Sequence, residues 1–387
     1  MGSQNNAAIR KIPCVYMRGG TSKALFFRKE DLPADEAERD RVILRAFGSP
    51  DRRQIDGMGG ASTSTSKVAV ISKSSRPGID VDYDFGQVDV MAPIVGKTMN
   101  CGNISSAVGP YAVDEGLVEA VEPVTEVHIF NRNTKKEIVA QVPVKNGRFW
   151  PEGDFAIDGV PGTASKVTLK FVEPMGAASG RLLPTGHVKD EIEVEGKRYE
   201  YSFVDAANPV IFVHPEDFGV TGTETPAEFN ALPNCRDICR RLEVIRGTGA
   251  VLLGYAKDLE DARINSQTLP KIAFVTRPTD YTAGNGRAIA AKDIDLVGRL
   301  FSVNMKMIDA YMGTGAICTI TAANTEGTIV NEIVRERLGT DRVPYLRIGH
   351  PWGIMPARAE LEENLVGIKC GYLERTARRI MDGFVYV

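Results

Sequence analysis

Two short segments in opposite halves of the chain echo one another: NCGNISSAVG (100–109) and GTGAICTITA (313–322). In that register Cys101 falls on Thr314, Gly102 on Gly315 and Ile104 on Ile317. Each segment continues through small residues to an acidic-Gly pair, Glu115-Gly116 and Glu326-Gly327. A repeat at the same stage of each half predicts a duplicated unit with its own core in each copy. The length agrees: 387 residues exceed the ~100–200 of one ordinary domain. The expected division is 1–187 and 188–369, with 370–387 returning to the first domain as a strand.

The residues between the echoes read mainly as strands. IPCVYM (12–17), ALFF (24–27), VAVIS (68–72), IDVDYDF (79–85), VDVMAPIV (88–95), EVHIFN (126–131), EIVAQVPV (137–144) and KVTLKFV (166–172) alternate or run β-branched. EIEVEGKRYEYSFVD (191–205) predicts a hairpin turning at Glu195-Gly196; PVIFV (209–213) and KIAFVT (271–276) are further strands. Helices are expected over 35–47 behind an Asp35 cap, after Cys101 with Pro110 inside, and near 233–246, 293–301 and 314–324. Residues 216–236 are expected to be a surface loop. Long strands with one central helix per half predict an α+β fold, not a βαβ parallel sheet.

Composition narrows the function. The formal net charge of −3 gives no overall attraction to nucleic acid. MGSQNNAAIRK lacks a signal-peptide core and the myristoylation pattern, and no run approaches the ~18 apolar residues of a membrane span. The expectation is a cytoplasmic protein without membrane or nucleic-acid partners. Six scattered cysteines are not a disulfide framework. Cys235 and Cys239 share a helix face, but no further soft ligands cluster near them, so helix packing is expected there and no metal.

Four loops share one chemical character: MRGGTSK (17–23), GMGGASTSTSK (57–67), MNCGNISS (99–106) and MGTGAICT (312–319). Glycine lets backbone N–H groups approach a ligand, helix starts favour anions, and hydroxyls add donors. One such loop is commonly only a cap or turn. Four together suggest a site for several carboxylates without a metal or cofactor. None is a dinucleotide, P-loop or nucleophile-elbow signature.

Within these loops Cys101 stands at an expected helix start, a setting that favours the thiolate and suits proton transfer. Lys67 ends a Ser/Thr run and enters a strand; it is either a surface lysine or a partly buried base. Arg18 and Arg277 are candidate carboxylate clamps.

These motifs resemble the PrpF family, which includes 2-methylaconitate cis–trans isomerases, methylitaconate isomerases and 4-oxalomesaconate tautomerases. The similarity runs from MRGGTSKALFF through GMGGASTSTSK, NCGN, NPVIFV, GTGAICT and RIGHP to ERTARRIMDG. It implies the diaminopimelate epimerase-like fold: two similar domains, each wrapping a mostly antiparallel sheet around a central helix. It also implies Lys67 and Cys101 as the catalytic pair. Arg18, Gly19, Gly20, Thr21, Ser22, Gly60, Ser64 and Ser66 would bind substrate from the first loops. Asn100, Gly102, Asn103, Asn208, Arg277, Met312, Gly313, Thr314 and Gly315 would complete the binding set. Epimerases of this fold use two cysteines, and the echo leaves Thr314 at the second position. Trp352 and Asp309 depart from the pattern and bear on the substrate.

The expected activity is cofactor-independent allylic proton transfer on a small unsaturated di- or tricarboxylate such as aconitate, methylaconitate, methylitaconate or oxalomesaconate. The residues do not decide which of Lys67 and Cys101 is the base. An amino-acid epimerase of the same fold and a non-catalytic carboxylate-binding accessory to an aconitase-like enzyme remain as alternatives. A homodimer is compatible with the chain.

Overall fold

In a computed structural model the described residues are 9–97, 100–364 and 366–387. Residues 1–8, where the reading of the N-terminus falls, lie outside them. The chain parts into two compact units, one running to Leu169 with Glu374–Val387 added, the other Lys170–Leu373. Residues 170–187, expected with the first half, cluster with the second unit. There the Asp205 carboxylate accepts from the N–H groups of Ala178 and Ser179 at 2.9 and 2.6 Å.

The first unit is built on β1 (Lys11–Gly19), β2 (Ser22–Arg28), α1 (Glu36–Phe47), β3 (Lys67–Lys73), β4 (Val81–Val88), α2 (Gly102–Asp114), β5 (Val124–Asn131) and β6 (Lys136–Lys145). The C-terminal strand Ala377–Tyr386 pairs antiparallel with β1. Asp35 caps α1, accepting from Glu38 N–H. One sheet face, with Tyr16, Leu25, Phe27, Val68 and Val70, buries the apolar side of α1. Side chains alternate across a strand, so Met17, Ala24, Phe26, Lys67, Ala69 and Ile71 point to the other face. That face receives α2, which is buried along almost its whole length. Phe26 meets Tyr111 of α2 at a ring distance of 5.3 Å. Gly109 lets α2 settle onto β5 and β6, since a Cβ there would stand 2.7 Å from Val142 and 2.9 Å from Ala140.

The second unit carries β7 (Asp190–Val194), β8 (Lys197–Ala206), β9 (Asn208–Val213), α3 (Cys235–Leu252), β10 (Lys271–Thr276), β11 (Leu296–Phe301), α4 (Gly313–Ala323), α5 (Ile329–Leu338), β12 (Tyr345–His350) and β13 (Gly353–Glu360). The β7–β8 hairpin turns at Glu195 and Gly196, both at positive φ. Phe203, Ile211, Ile272, Phe274 and Phe301 pack with Ile238, Leu242 and Ile245 of α3. Helix α4 is buried throughout. Cys235 and Cys239 lie on α3 and pack against this core.

Three expectations change. Residues 293–301 hold strand β11, wholly buried, where a helix was expected. Of the run 88–95 only the ends are strand, Val88 closing β4 and Val95 pairing back onto it, because the Asp89 carboxylate accepts from Met91 and Ala92 N–H and closes a turn between them. The expected loop 216–236 contains a helix, Pro226–Ala231, opened by a Thr225/Glu228 capping box.

The duplication extends to strand order and register. In the first unit β1–β2 is antiparallel, β2–β3 parallel, β3–β4 antiparallel, β4–β5 parallel and β5–β6 antiparallel. In the second, β8–β9, β9–β10, β10–β11, β11–β12 and β12–β13 repeat that sequence of directions. The helix starts correct the register of the echo. Cys101 caps α2 and its carbonyl accepts from Ser105 N–H at 2.9 Å; Met312 caps α4 and its carbonyl accepts from Ala316 N–H at 2.8 Å. Cys101 therefore corresponds to Met312, not Thr314, and Asn103 corresponds to Thr314.

Candidate active site

Lys67 is the first residue of β3 and faces α2. It is only 7% exposed. Directly across the β3–β4 ladder stands Gln87, whose side-chain carbonyl accepts from Lys67 Nζ. The Gln87 amide in turn donates to Ser66 C=O at 2.9 Å and Thr63 C=O at 3.1 Å, which fixes its orientation. Phe85, two residues along the same face, places its ring 5.4 Å from Nζ. Burial pushes the Lys67 amine below the ordinary lysine range, and the charge of nearby Cys101 pulls part of the way back. A lysine so placed supplies a neutral amine that a surface lysine cannot.

Cys101, half-buried, caps α2 without spending its side chain on the cap. Its backbone is held on both sides. Ser105 Oγ donates to Cys101 C=O and to Asn100 Oδ1, both at 3.0 Å. Asn131 Nδ2 donates to the same Asn100 oxygen at 3.2 Å. The Asn131 carbonyl is occupied by Thr134 N–H and Oγ1 at 2.8 and 2.9 Å. Asn100, Asn131 and Ser105 are at most 1% exposed, and Asn100, expected to touch substrate, braces the cysteine through these bonds.

Two further groups sense the charge of Cys101: Tyr83 and Arg375. Tyr83 is fully buried and, among the described residues, its hydroxyl meets no partner at hydrogen-bonding geometry. Burial raises it well above the usual phenol range, partly offset by the Ser105 hydroxyl beside it. Arg375 is lowered by burial to about 10, and its Nε donates to Asn103 Oδ1 at 3.2 Å. Neither was named from sequence. The alternation of β4, which puts Tyr83, Phe85 and Gln87 on the face of Lys67, is the signal that could have found Tyr83.

The first-unit glycine loops converge on Asn103. Its Nδ2 donates to Thr21 Oγ1 at 3.0 Å. A Cβ on Gly19 would stand 2.3 Å from Asn103 C=O, and one on Gly20, at φ +50°, 2.2 Å from Asn103 Oδ1. Gly102 opens α2 and is buried; Ser22 is also buried. Ser66 Oγ donates to Gln54 Oε1 at 2.7 Å and anchors the loop before Lys67. Gly60 and Ser64 are exposed in that loop.

Arg18 is not brought to this cluster as a clamp. Its Nη1 donates to Gly20 C=O at 2.8 Å and to Thr376 C=O and Oγ1 at 3.0 and 2.9 Å. Its strand parity is that of Tyr16, on the α1 face. Arg277 is exposed and paired with Glu336 at 2.8 Å, because it follows the far end of β10. In the second unit Asn208 Nδ2 donates to Thr314 Oγ1 at 2.9 Å, with both residues buried. Met312, Gly313 and Gly315 form the start of α4 beside them. Trp352, expected to shape the pocket, lies on the β12–β13 turn, 41% exposed. Asp309 is exposed.

Among the described residues no helix is long and apolar enough to cross a membrane, and no three His, Cys, Asp or Glu side chains gather as metal ligands.

The PrpF protein family matches residues 9–387. The chain is 47% identical to a 3-methylitaconate isomerase of Eubacterium barkeri, covering 97% of each chain. It is 39% identical to a 2-methyl-aconitate isomerase of Shewanella oneidensis, again over 97% of each. It is also 39% identical to a 4-oxalomesaconate tautomerase of Pseudomonas putida, over 97% of this chain and 96% of the relative. Among solved structures it matches a methylitaconate-delta-isomerase with a TM-score of 0.82 at 46% identity, covering 98% of this chain and 96% of that one. A hydroxyproline epimerase from Agrobacterium vitis, at 11% identity and a TM-score of 0.52, covering 97% of this chain and 91% of that one, shares the fold. By the full-length match and these identities, the chain belongs to the PrpF family.

Proposed function

We propose that Lys67 and Cys101 carry an allylic proton transfer on a small unsaturated di- or tricarboxylate. The chain is an isomerase of unsaturated carboxylates that needs no cofactor. A methyl-branched itaconate or aconitate is the favoured substrate, since relatives of 39–47% identity are named for such acids.

The observation that carries the assignment is a buried lysine with a lowered amine pKa beside a cysteine at a helix start. In this reading the neutral Lys67 amine takes the allylic proton. The electron pair of that C–H bond becomes the new C=C, and the old C=C shifts its electrons to its far carbon. The Cys101 thiol returns a proton there and leaves as thiolate, which regains its proton from Lys67. The intermediate is dienolate-like, with charge on a carboxylate oxygen. The Arg375 guanidinium and the first N–H groups of α2 supply donors for that charge. The fully buried Tyr83 phenol stays protonated and lends no base.

Proton NMR in deuterated water tests this with aconitate, methylaconitate, itaconate, methylitaconate and oxalomesaconate. At least one should isomerise and take up solvent deuterium at the carbon that gains the proton. Tight binding with no exchange on any of them would instead favour a non-catalytic binding protein.

A further inference from the structure

A lysine side chain is a flexible stem, and Lys67 needs a partner to be aimed. Gln87 stands opposite it in the β3–β4 ladder, and Lys67 Nζ donates to Gln87 Oε1. An amide has a donor end and an acceptor end, and here the two cannot be exchanged. Gln87 Nε2 donates to Ser66 C=O at 2.9 Å and to Thr63 C=O at 3.1 Å. Reversal would set the amide oxygen against two carbonyl oxygens and the amide N–H groups against the amine. Both carbonyls belong to the loop that leads into Lys67. That loop is itself anchored, since Lys23 N–H donates to Ser64 C=O at 2.9 Å and Ser66 Oγ donates to Gln54. One amide therefore joins the loop, β4 and the lysine.

The charge of residue 87 matters as much as its reach. Cys101 faces Lys67 from the start of α2, and Tyr83 and Arg375 face Cys101 in turn. Strand β2 sets Ala24 beside Lys67, and Phe85 of β4 presents its ring. The group at hydrogen-bonding distance is an uncharged carbonyl. A carbonyl accepts from the ammonium and from the neutral amine alike, whereas a carboxylate at the same place would favour the ammonium.

We propose that Gln87 is a positioning residue for Lys67: its locked carbonyl aims the amine and, being uncharged, leaves it free to lose its proton. This rests on the reading of Lys67 as the base, so the test follows Lys67 directly as well as through turnover. Full-length protein carrying isotopically labelled lysine gives the titration of Lys67 by NMR, its signal assigned by its loss in Lys67→Met. Gln87→Glu should raise the pH at which Lys67 titrates by about 1–3, as an adjacent opposite charge does. The limb of kcat/KM that rises with pH should move with it. Below the parent's limb, turnover should fall about 10- to 1,000-fold and recover as pH is raised. Gln87→Met removes the acceptor at similar bulk. Its kcat should fall about 10- to 100-fold with KM near the parent's, and Lys67 should titrate no higher than in the parent. An unmoved Lys67 titration in Gln87→Glu would overturn the assignment. Equal falls in kcat at every pH in both variants would also overturn it, as a packing role. A parent that turns over none of the acids would sink the isomerase reading, and the Lys67 titration would still decide the part Gln87 plays.

Discussion

At the scale of residues, the chemistry depends on what burial does to a few polar groups. Lys67 sits in a 7% exposed position, and desolvation opposes its charge. Lys67→Met should lower turnover by about 10²- to 10⁴-fold, the usual contribution of a general base. It should also leave the melting temperature equal or higher, because a buried amine is replaced by an apolar chain of similar volume. The sign of the pH effect follows from the same burial. The unfolded chain holds the lysine proton up to the ordinary range near 10.5 and the folded chain releases it earlier. Between those two values the unfolded state binds more protons, so stability should rise with pH there and the rise should shrink in Lys67→Met. Denaturant titrations across that window check it. Turnover should climb with pH as the amine deprotonates below the ordinary lysine range. Behind Cys101, Asn131→Ala should lower kcat about tenfold, through Asn100 and Ser105, while KM stays close to the parent. Alkylation of Cys101 by iodoacetamide should change in rate in the same variant. A drop in melting temperature with an unchanged alkylation rate would mark a purely structural role. Cys101 and Lys67 were named from sequence because loop chemistry and family resemblance both pointed at them. For Arg18 and Arg277, an arginine's residue type does not reveal that its guanidinium is engaged by Thr376 and Gly20 or by Glu336.

At the scale of elements, α2 positions the site and glycine permits its placement. Gly109→Ala presents two opposed effects. Alanine gains about 1 kcal/mol of helix propensity. Its Cβ would meet Val142 at 2.7 Å and Ala140 at 2.9 Å, and overpacking typically costs about 1–3 kcal/mol. The contact should win, since both neighbours are fixed in the sheet, and the melting temperature should fall. A rise would mean that α2 can shift. Elements with local signals were legible: the Asp35 cap of α1, the Glu195-Gly196 turn, the α2 start after Cys101. Strand β11 was not, because LVGRLF is apolar on both faces and shows no period. The helix Pro226–Ala231 was missed despite its capping box, which a reading based on polarity passes over.

At the scale of the whole molecule, the echo around Cys101 indicated duplication, and the repeat of strand directions in both units extends it. The register was two residues out, because small residues match at several offsets. Only the first intrahelical bonds, Cys101 to Ser105 and Met312 to Ala316, fix the correspondence. The conclusion that the second copy lacks a thiol survives the correction, with Met312 in place of Thr314. The proposed division of labour between base and acid is tested most directly by following solvent exchange in Cys101→Ser and Lys67→Ala, by NMR in deuterated water on the acid the parent isomerises. Cys101→Ser should still exchange the allylic hydrogen of the substrate while forming little product, and Lys67→Ala should do neither. Exchange retained in Lys67→Ala and lost in Cys101→Ser would reverse the roles, and full turnover in both would contradict the site.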